Sequence, residues 1–281
     1  MKVVWAVLWA AVVMMEVKEV KDKNEGQEKN LRQMFNFSTT YEPTSVRPVD
    51  CADHLMAGAK TSGVYEIYPF TCSCNKPVTV WCDMETDGGG WTVFLSRQDT
   101  SPWPQVDFNR TWQEYKEGFG SPYDEYYLGN EMLHVMTKSR AYTLRLNTQQ
   151  VSGGISFATY ETIRVGDEDS RYQMTLSGTQ HGISSMTNCF RYLTGRYFTT
   201  LDYNSDSGNC VAKKGGGWWW YSNCNYFNPT AAGFNQSMEL LCYTLKVQVT
   251  RLQMMLRPQI CDSAFKTIHL MDMDCGCQVA H

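Results

Sequence analysis

The chain has 281 residues, with 25 Lys and Arg against 29 Asp and Glu, for a formal net charge of −4. That balance excludes the strong basic excess of a nucleic-acid binder, and 19% charged with 13% aromatic residues is the composition of a folding chain rather than a disordered one. At roughly 150 residues per domain, the length accommodates one large domain or two ordinary ones, with a core that disulfides would brace rather than replace.

In chain order, Lys2 precedes thirteen uncharged residues, Val3–Met15. The run falls short of the roughly 20 residues of a membrane span and suits the apolar core of a secretory signal, expected over residues 1–18. An uncleaved interfacial anchor is the alternative. Residues 16–35 mix five acids with five bases, and residues 36–49 carry Pro43 and Pro48 among Ser and Thr, so residues 19–49 read as a solvated linker and tether.

From Asp50 the texture changes to short strand-like runs: Val64–Tyr68, Val78–Cys82, Trp91–Ser96, Tyr142–Asn147, Ile155–Val165 and Tyr172–Leu176. In the longest, alternation places Ile155, Phe157, Ile163 and Val165 on one buried face. Helices are predicted at Thr111–Glu117 and Asn130–Lys138, the second capped by Asn130 and carrying a Met132, Leu133 and Met136 stripe. Many short strands and few helices predict a mostly antiparallel α+β domain.

Eleven cysteines point to an oxidising compartment, and the odd count leaves one sulfur unpaired within the chain if the others pair. Cys72-x-Cys74 and Cys275-x-Cys277 lack the two-residue gap usual in zinc ligation and read as disulfide partners. Histidines 54, 134, 181, 269 and 281 are scattered, with no zinc-protease pair and no nucleophile elbow. No catalytic residues are assigned, and no enzyme is expected. Between Thr200 and Cys210, Asp202, Asn204 and Asp206 place oxygen side chains at alternate positions, the spacing of a loop curled around a hard cation. It is not an EF-hand: Gly208 stands one place late, and Lys213 occupies the twelfth position, where that loop has its Glu. On spacing alone, a calcium loop and an ion-free Asx-rich turn are equally supported. Gly215–Gly217 precedes Trp218–Trp220 without the Lys-Ser/Thr of a phosphate cradle, so these glycines are expected to let backbone pack against rings. The tryptophans suit either a pocket floor or the core. Asn36, Asn109 and Asn235 are N-glycosylation acceptors by sequence.

Several runs then carry a resemblance: Ser62-Gly63-Val64-Tyr65-Glu66-Ile67-Tyr68-Pro69, Val80-Trp81-Cys82-Asp83 through Gly88-Gly89-Gly90-Trp91-Thr92-Val93, and Asp107-Phe108-Asn109-Arg110-Thr111-Trp112 through Gly118-Phe119-Gly120. Tyr127-Leu128-Gly129-Asn130-Glu131, Asn209-Cys210-Val211-Ala212, the Gly-Gly-Trp-Trp run and Met254-Met255-Leu256-Arg257-Pro258 follow in order. Residues 50–258 resemble a fibrinogen C-terminal-like domain, the module of ficolins, tachylectins, angiopoietins and fibrinogen chains. The resemblance implies an α+β fold with a small N-terminal subdomain, a central antiparallel sheet and a loop-rich C-terminal subdomain. It also implies disulfides Cys51–Cys82 and Cys210–Cys224, and a calcium site of Asp202, Asn204, Asp206 and the Gly208 carbonyl. The loop is about two residues shorter than the family pattern, and Asn204 replaces a common carboxylate. The acetyl-binding pocket of the lectin members maps to Asn223, Cys224, Asn225 and Tyr243, with Asn225 standing where those members have His. Residues 247–252 add an insertion, and residues 259–281 form a Cys-containing tail beyond the family's usual end.

These features imply a secreted, lectin-like recognition protein that binds acetylated or other surface glycans in innate defence, with calcium as its cofactor. The alternative is a fibrinogen-like module that binds a protein partner, as in a receptor ligand or a clot-like assembly. Neither nucleic acid nor a membrane span is expected. No collagen-like repeat or strong coiled coil supplies multivalency, so interchain disulfides from among the seven cysteines outside the framework, whose pairing the sequence leaves open, are the route expected to a homo-oligomer. Non-reducing gels should show disulfide-linked oligomers that collapse on reduction; a clean monomer band would remove that expectation.

Overall fold

In a computed structural model of the chain, the described residues are 47–70, 76–98, 105–187, 189–190, 192–204, 206–221, 224, 226–231, 238–242 and 245–259. The expectations for the leader, most of the linker, Cys72, Cys74 and the tail beyond Gln259 lie outside them.

The first element is a short helix, α1 (Cys51–Met56), entered through Asp50, whose carboxylate accepts from the Asp53 amide at 3.1 Å. Asp50 is fully buried and also meets the Arg140 guanidinium at 3.0 Å and the Tyr142 hydroxyl at 2.6 Å. Burial, reinforced by the neighbouring Asp53, pushes its carboxyl above the usual carboxylate range. Strands β1 (Gly63–Ile67), β2 (Val78–Asp83) and β3 (Trp91–Gln98) follow. The disulfide Cys51–Cys82 ties α1 to β2 and closes a separation of 31 residues, a constraint typically worth about 3 kcal/mol through the unfolded chain.

Helix α2 (Trp112–Glu117) begins at a capping box. Thr111 accepts from the Glu114 amide while Glu114 reaches back to the Thr111 amide at 2.9 Å, satisfying two orphan donors at once. The short strands β4 (Phe119–Gly120) and β5 (Tyr126–Tyr127) lead into α3 (Asn130–Ser139). Met132, Leu133 and Met136 are buried as the stripe predicts, but the cap is Gly129 at φ 111° and not Asn130. The Asn130 carboxamide is instead buried and accepts from the Tyr127 hydroxyl at 2.5 Å, so tertiary packing has taken the side chain that sequence assigned to the cap.

Strands β6 (Tyr142–Gln150), β7 (Ile155–Val165) and β8 (Met174–Gly182) form a meander, followed by one turn of helix, α4 (Ser184–Thr187), and α5 (Cys210–Lys214). Strands β9 (Met238–Cys242) and β10 (Leu245–Pro258) close the described chain. One antiparallel sheet results, ordered β1-β2-β3-β10-β6-β7-β8, with β9 pairing β10, β5 pairing β3 and β4 pairing β5. The last strand therefore lies at the centre, between β3 and β6. The sequence-based strands omit β10 because Leu252–Leu256 is buried at every position and shows no alternation. Residues 247–252, read as an insertion, are part of this strand.

The longest strand departs from its predicted pattern in an informative way. Against β6 its register shifts between Tyr160 and Ile163, where β7 has one extra residue, so the buried face runs Ser156, Ala158 and Tyr160 before the shift and Ile163 and Val165 after it. Ile155 is 72% exposed, although alternation alone groups it with Ile163 and Val165. One bulged residue exchanges the faces. At β8 the expected start, Tyr172, lies before the strand in a left-handed turn.

The sheet is joined to the C-terminal loops by a buried ion pair. Arg97 on β3 donates from Nε to Glu125 at 2.9 Å and from Nη1 to the Pro229 and Ala231 carbonyls at 3.0 and 3.2 Å, with its guanidinium 3.9 Å from the centre of the Phe108 ring. The two side chains are 1% and 0% exposed. Glu125→Ala should lower unfolding free energy by about 3–5 kcal/mol, because it strands a buried guanidinium. In urea titrations, Glu125→Leu combined with Arg97→Met should cost less than the sum of the single substitutions.

Candidate functional site

The loops that follow β8 are built around rings rather than regular elements. Phe198 donates its amide to the Arg171 carbonyl at 2.9 Å, and Thr199 and Trp218 exchange two backbone hydrogen bonds at 3.1 Å. Gly217 gives its amide to the Tyr115 hydroxyl at 2.9 Å, and that hydroxyl donates in turn to the Phe108 carbonyl at 2.7 Å. Burial holds the Tyr115 phenol far above its ordinary titration range, so it stays a neutral donor.

Close backbone approach explains the glycine run. A Cβ on Gly217 would lie 2.6 Å from the Tyr115 ring, and one on Gly216, at φ +75°, would overlap the Thr230 carbonyl. Trp218 and Trp219 are core residues, 0% and 1% exposed, and the Trp219 indole donates to the Tyr172 carbonyl at 2.7 Å. Of the three, only Trp220 reaches the pocket described here, a cavity of about 100 Å³ between Arg196, Tyr197, Asp206 and itself. The second disulfide, Cys210–Cys224, fastens α5 to the segment after the tryptophans. Cys189 is buried and also disulfide-bonded.

The Asp202 carboxylate accepts from the Trp112 amide at 2.9 and 3.2 Å and from the Thr200 hydroxyl at 2.7 Å. Asn204 accepts from the Asp206 amide at 2.8 Å and donates to the Asn209 side chain at 2.9 Å. Asp206 accepts from the Gly208 amide at 2.8 Å and from the Cys210 amide. The Gly208 carbonyl accepts from the Lys213 ammonium at 2.7 Å. Among the described residues, no three His, Cys, Asp or Glu side chains are grouped so as to hold a metal ion. Cys224 is buried at φ 58°, while Asn223, Asn225 and Tyr243 lie outside the described residues. Of the glycosylation acceptors, Asn109 is exposed just before α2, and Asn36 and Asn235 lie outside the described residues.

Sequence reasoning did not single out the surface beside this loop. Tyr197, Leu201 and Tyr203 are 47%, 55% and 45% exposed, and the Arg171 guanidinium lies 5.5 and 5.9 Å from the ring centres of Tyr197 and Tyr203. Arg196 stands over the Tyr221 ring at 4.7 Å, next to the mutually packed Tyr192, Tyr221 and Tyr226. Five non-glycine residues have positive φ among those described, and two of them, Arg171 and the adjacent Tyr172, belong to the turn that presents this face. Strained backbone of this kind persists only where the surroundings over-determine it, and it collects at functional surfaces. Beneath the face, Glu168 accepts from the Trp112 indole at 2.8 Å and the Lys116 ammonium at 2.5 Å, and that ammonium holds its carboxyl below the usual range.

This wide antiparallel sheet with its ring-packed, disulfide-fastened loop face is a mixed α+β fold of the fibrinogen C-terminal type. Residues 47–259 match the family model described as the C-terminal globular domain of fibrinogen beta and gamma chains, and the chain belongs to that family. Among curated proteins it is similar to mouse angiopoietin-4, 40% identical over 164 residues that are 58% of this chain and 30% of that one. Human angiopoietin-1 is 38% identical over 164 residues, covering 58% of this chain and 31% of its own length. The chain thus spans about a third of these relatives. Among solved structures, the fibrinogen-like globe domain of human ANGPTL2 superposes with a TM-score of 0.67 at 32% identity, over 76% of this chain and 100% of that domain. Lamprey fibrin D-dimer, solved with the peptide Gly-His-Arg-Pro-amide, shares the fold at a TM-score of 0.59 and 24% identity, over 89% of each chain. No helix among the described residues is long and apolar enough to cross a membrane.

Gly216→Ala should lower unfolding free energy by about 2 kcal/mol or more, since it adds left-handed strain to an overlap with backbone. Tryptophan fluorescence in urea reads this directly, because the substitution lies beside Trp218–Trp220.

Proposed function

We propose that this domain is an extracellular recognition module that binds a protein partner through the face formed by Arg171, Tyr197, Leu201 and Tyr203. The observation that carries the reading is this cluster of exposed apolar rings and arginine on strained, tightly fastened backbone. Tyr and Arg are the residues in which binding energy concentrates at protein interfaces, and rigid presentation lowers the ordering cost of association. The adjoining pocket presents both Arg196 and Asp206 and so suits a polar group that both donates and accepts hydrogen bonds. The angiopoietin relatives weight the receptor-ligand branch of the family above the lectin branch. Secretion, glycosylation at Asn36, Asn109 and Asn235, and assembly through surplus cysteines complete the reading, with avidity supplied by linked copies.

The competing reading is glycan binding at Asn223, Cys224, Asn225 and Tyr243. The two separate on cells bound by the fluorescently labelled full chain. Arg171→Asn with Tyr197→Ala, in which Asn tolerates the left-handed backbone at position 171, should weaken binding at least tenfold, about 1.4 kcal/mol, at unchanged melting temperature. Protease treatment of the cells should abolish binding, and excess N-acetylglucosamine should leave it intact. Competition by that sugar, with the double variant binding normally, would replace this proposal by the lectin one.

A further inference from the structure

The family resemblance brings calcium to the 202–208 loop, and the residues present do not fit it. Each oxygen-bearing group offered to the ion already serves the protein. Asp202 is spent on the first turn of α2 and on Thr200. Asn204 bridges Asp206 and Asn209. Asp206 holds the Gly208 and Cys210 amides, the entry to α5. Among the described residues no three His, Cys, Asp or Glu side chains converge here, whereas Ca²⁺ needs six to eight oxygens converging at 2.3–2.6 Å.

A cation is nonetheless present. The Lys213 ammonium lies 2.7 Å from the Gly208 carbonyl, an oxygen that the resemblance gives to the ion. The ammonium thus occupies one oxygen of the expected ligand set and brings positive charge into the loop itself. Lys213 and Lys214 both sit in the last turn of α5, where ammonium groups also suit the helix dipole. Together they match in number the two carboxylates, Asp202 and Asp206.

We infer that the 202–213 loop is closed by an internal cation, the Lys213 ammonium, and takes its shape without calcium. The bound face is then assembled in calcium-poor and calcium-rich media alike. This inference concerns the loop alone and is independent of which partner the adjoining face binds.

Hydrogen exchange of the full chain, read by mass spectrometry over residues 200–214, tests it. Exchange there should be the same in EDTA and in calcium chloride at about 1 mM, the range in which extracellular modules bind the ion. Lys213→Met should speed exchange in this segment at least threefold while leaving β3 and β6 unchanged, and Lys213→Arg should retain most of the protection. Calcium-dependent slowing of exchange over residues 200–214 in the unsubstituted chain would overturn the inference. So would unchanged exchange there in Lys213→Met.

Discussion

Arg97 and Glu125 form the interaction on which the junction between the sheet and the C-terminal loops depends. Two charges that are almost wholly removed from water are tolerable only where every polar atom around them finds a partner. Here the carboxylate takes the guanidinium and the Gln98 and Val106 amides, while the guanidinium also takes two carbonyls of the 229–231 segment. These partners come from β3, from the chain before α2, from the approach to β5 and from the C-terminal loops. One ion pair therefore sets the distance between the sheet and the loops that follow the tryptophans. A hydrophobic substitute could fill the same volume, but it would leave the Pro229 and Ala231 carbonyls without these donors. The charge pair contributes geometry more than net stability, which is the role buried ion pairs best support.

The same logic extends outward through Tyr115. Its hydroxyl links the Phe108 carbonyl to the Gly217 amide, and its ring occupies the space that a side chain at Gly217 would need. Phe108 lies under the Arg97 guanidinium, so the ion pair and the phenol are neighbours in one network. The chain is thereby pinned just before the tryptophan run, and the backbone bridge between Thr199 and Trp218 carries that constraint to the loop bearing Tyr197, Leu201 and Tyr203. Position flows from charge to ring to backbone.

Much of the scaffold was legible in sequence because it is local. The Thr111–Glu114 capping box, the Met132–Met136 stripe and the turn-bounded strands each announce themselves within a few residues. What escaped reading is set by partners far along the chain. Central strand β10 alternates only over Leu245–Val249, and its Leu252–Leu256 half, covered on both faces, carries no periodicity to extend that signal. The face exchange in β7 depends on one extra residue against β6, invisible without the partner. Asn130 reads as a cap until Tyr127 claims its carboxamide. At the candidate site, motif spacing identified the Asp202 loop, but not that Asp202 faces Trp112, 90 positions earlier. Arg171 carried no signal at all, since only folding brings it beside Tyr197 and Tyr203.

The strained residues give the loop face its character. Arg171 and Tyr172 both adopt left-handed backbone, a conformation that costs roughly 1–2 kcal/mol for each residue with a Cβ. The cost is borne because Tyr172 is fully buried, its hydroxyl bonded to Glu131 and its carbonyl to the Trp219 indole. Relaxing the turn would break both bonds and move Arg171 off the two tyrosine rings. Asn209 and Cys224 are held the same way, one by the entry to α5 and the other by its disulfide. A loop so over-determined has little conformational freedom left to lose on binding. On the proposed reading, selectivity for a partner comes from the shape and charge the loop already presents, and not from adaptation after contact.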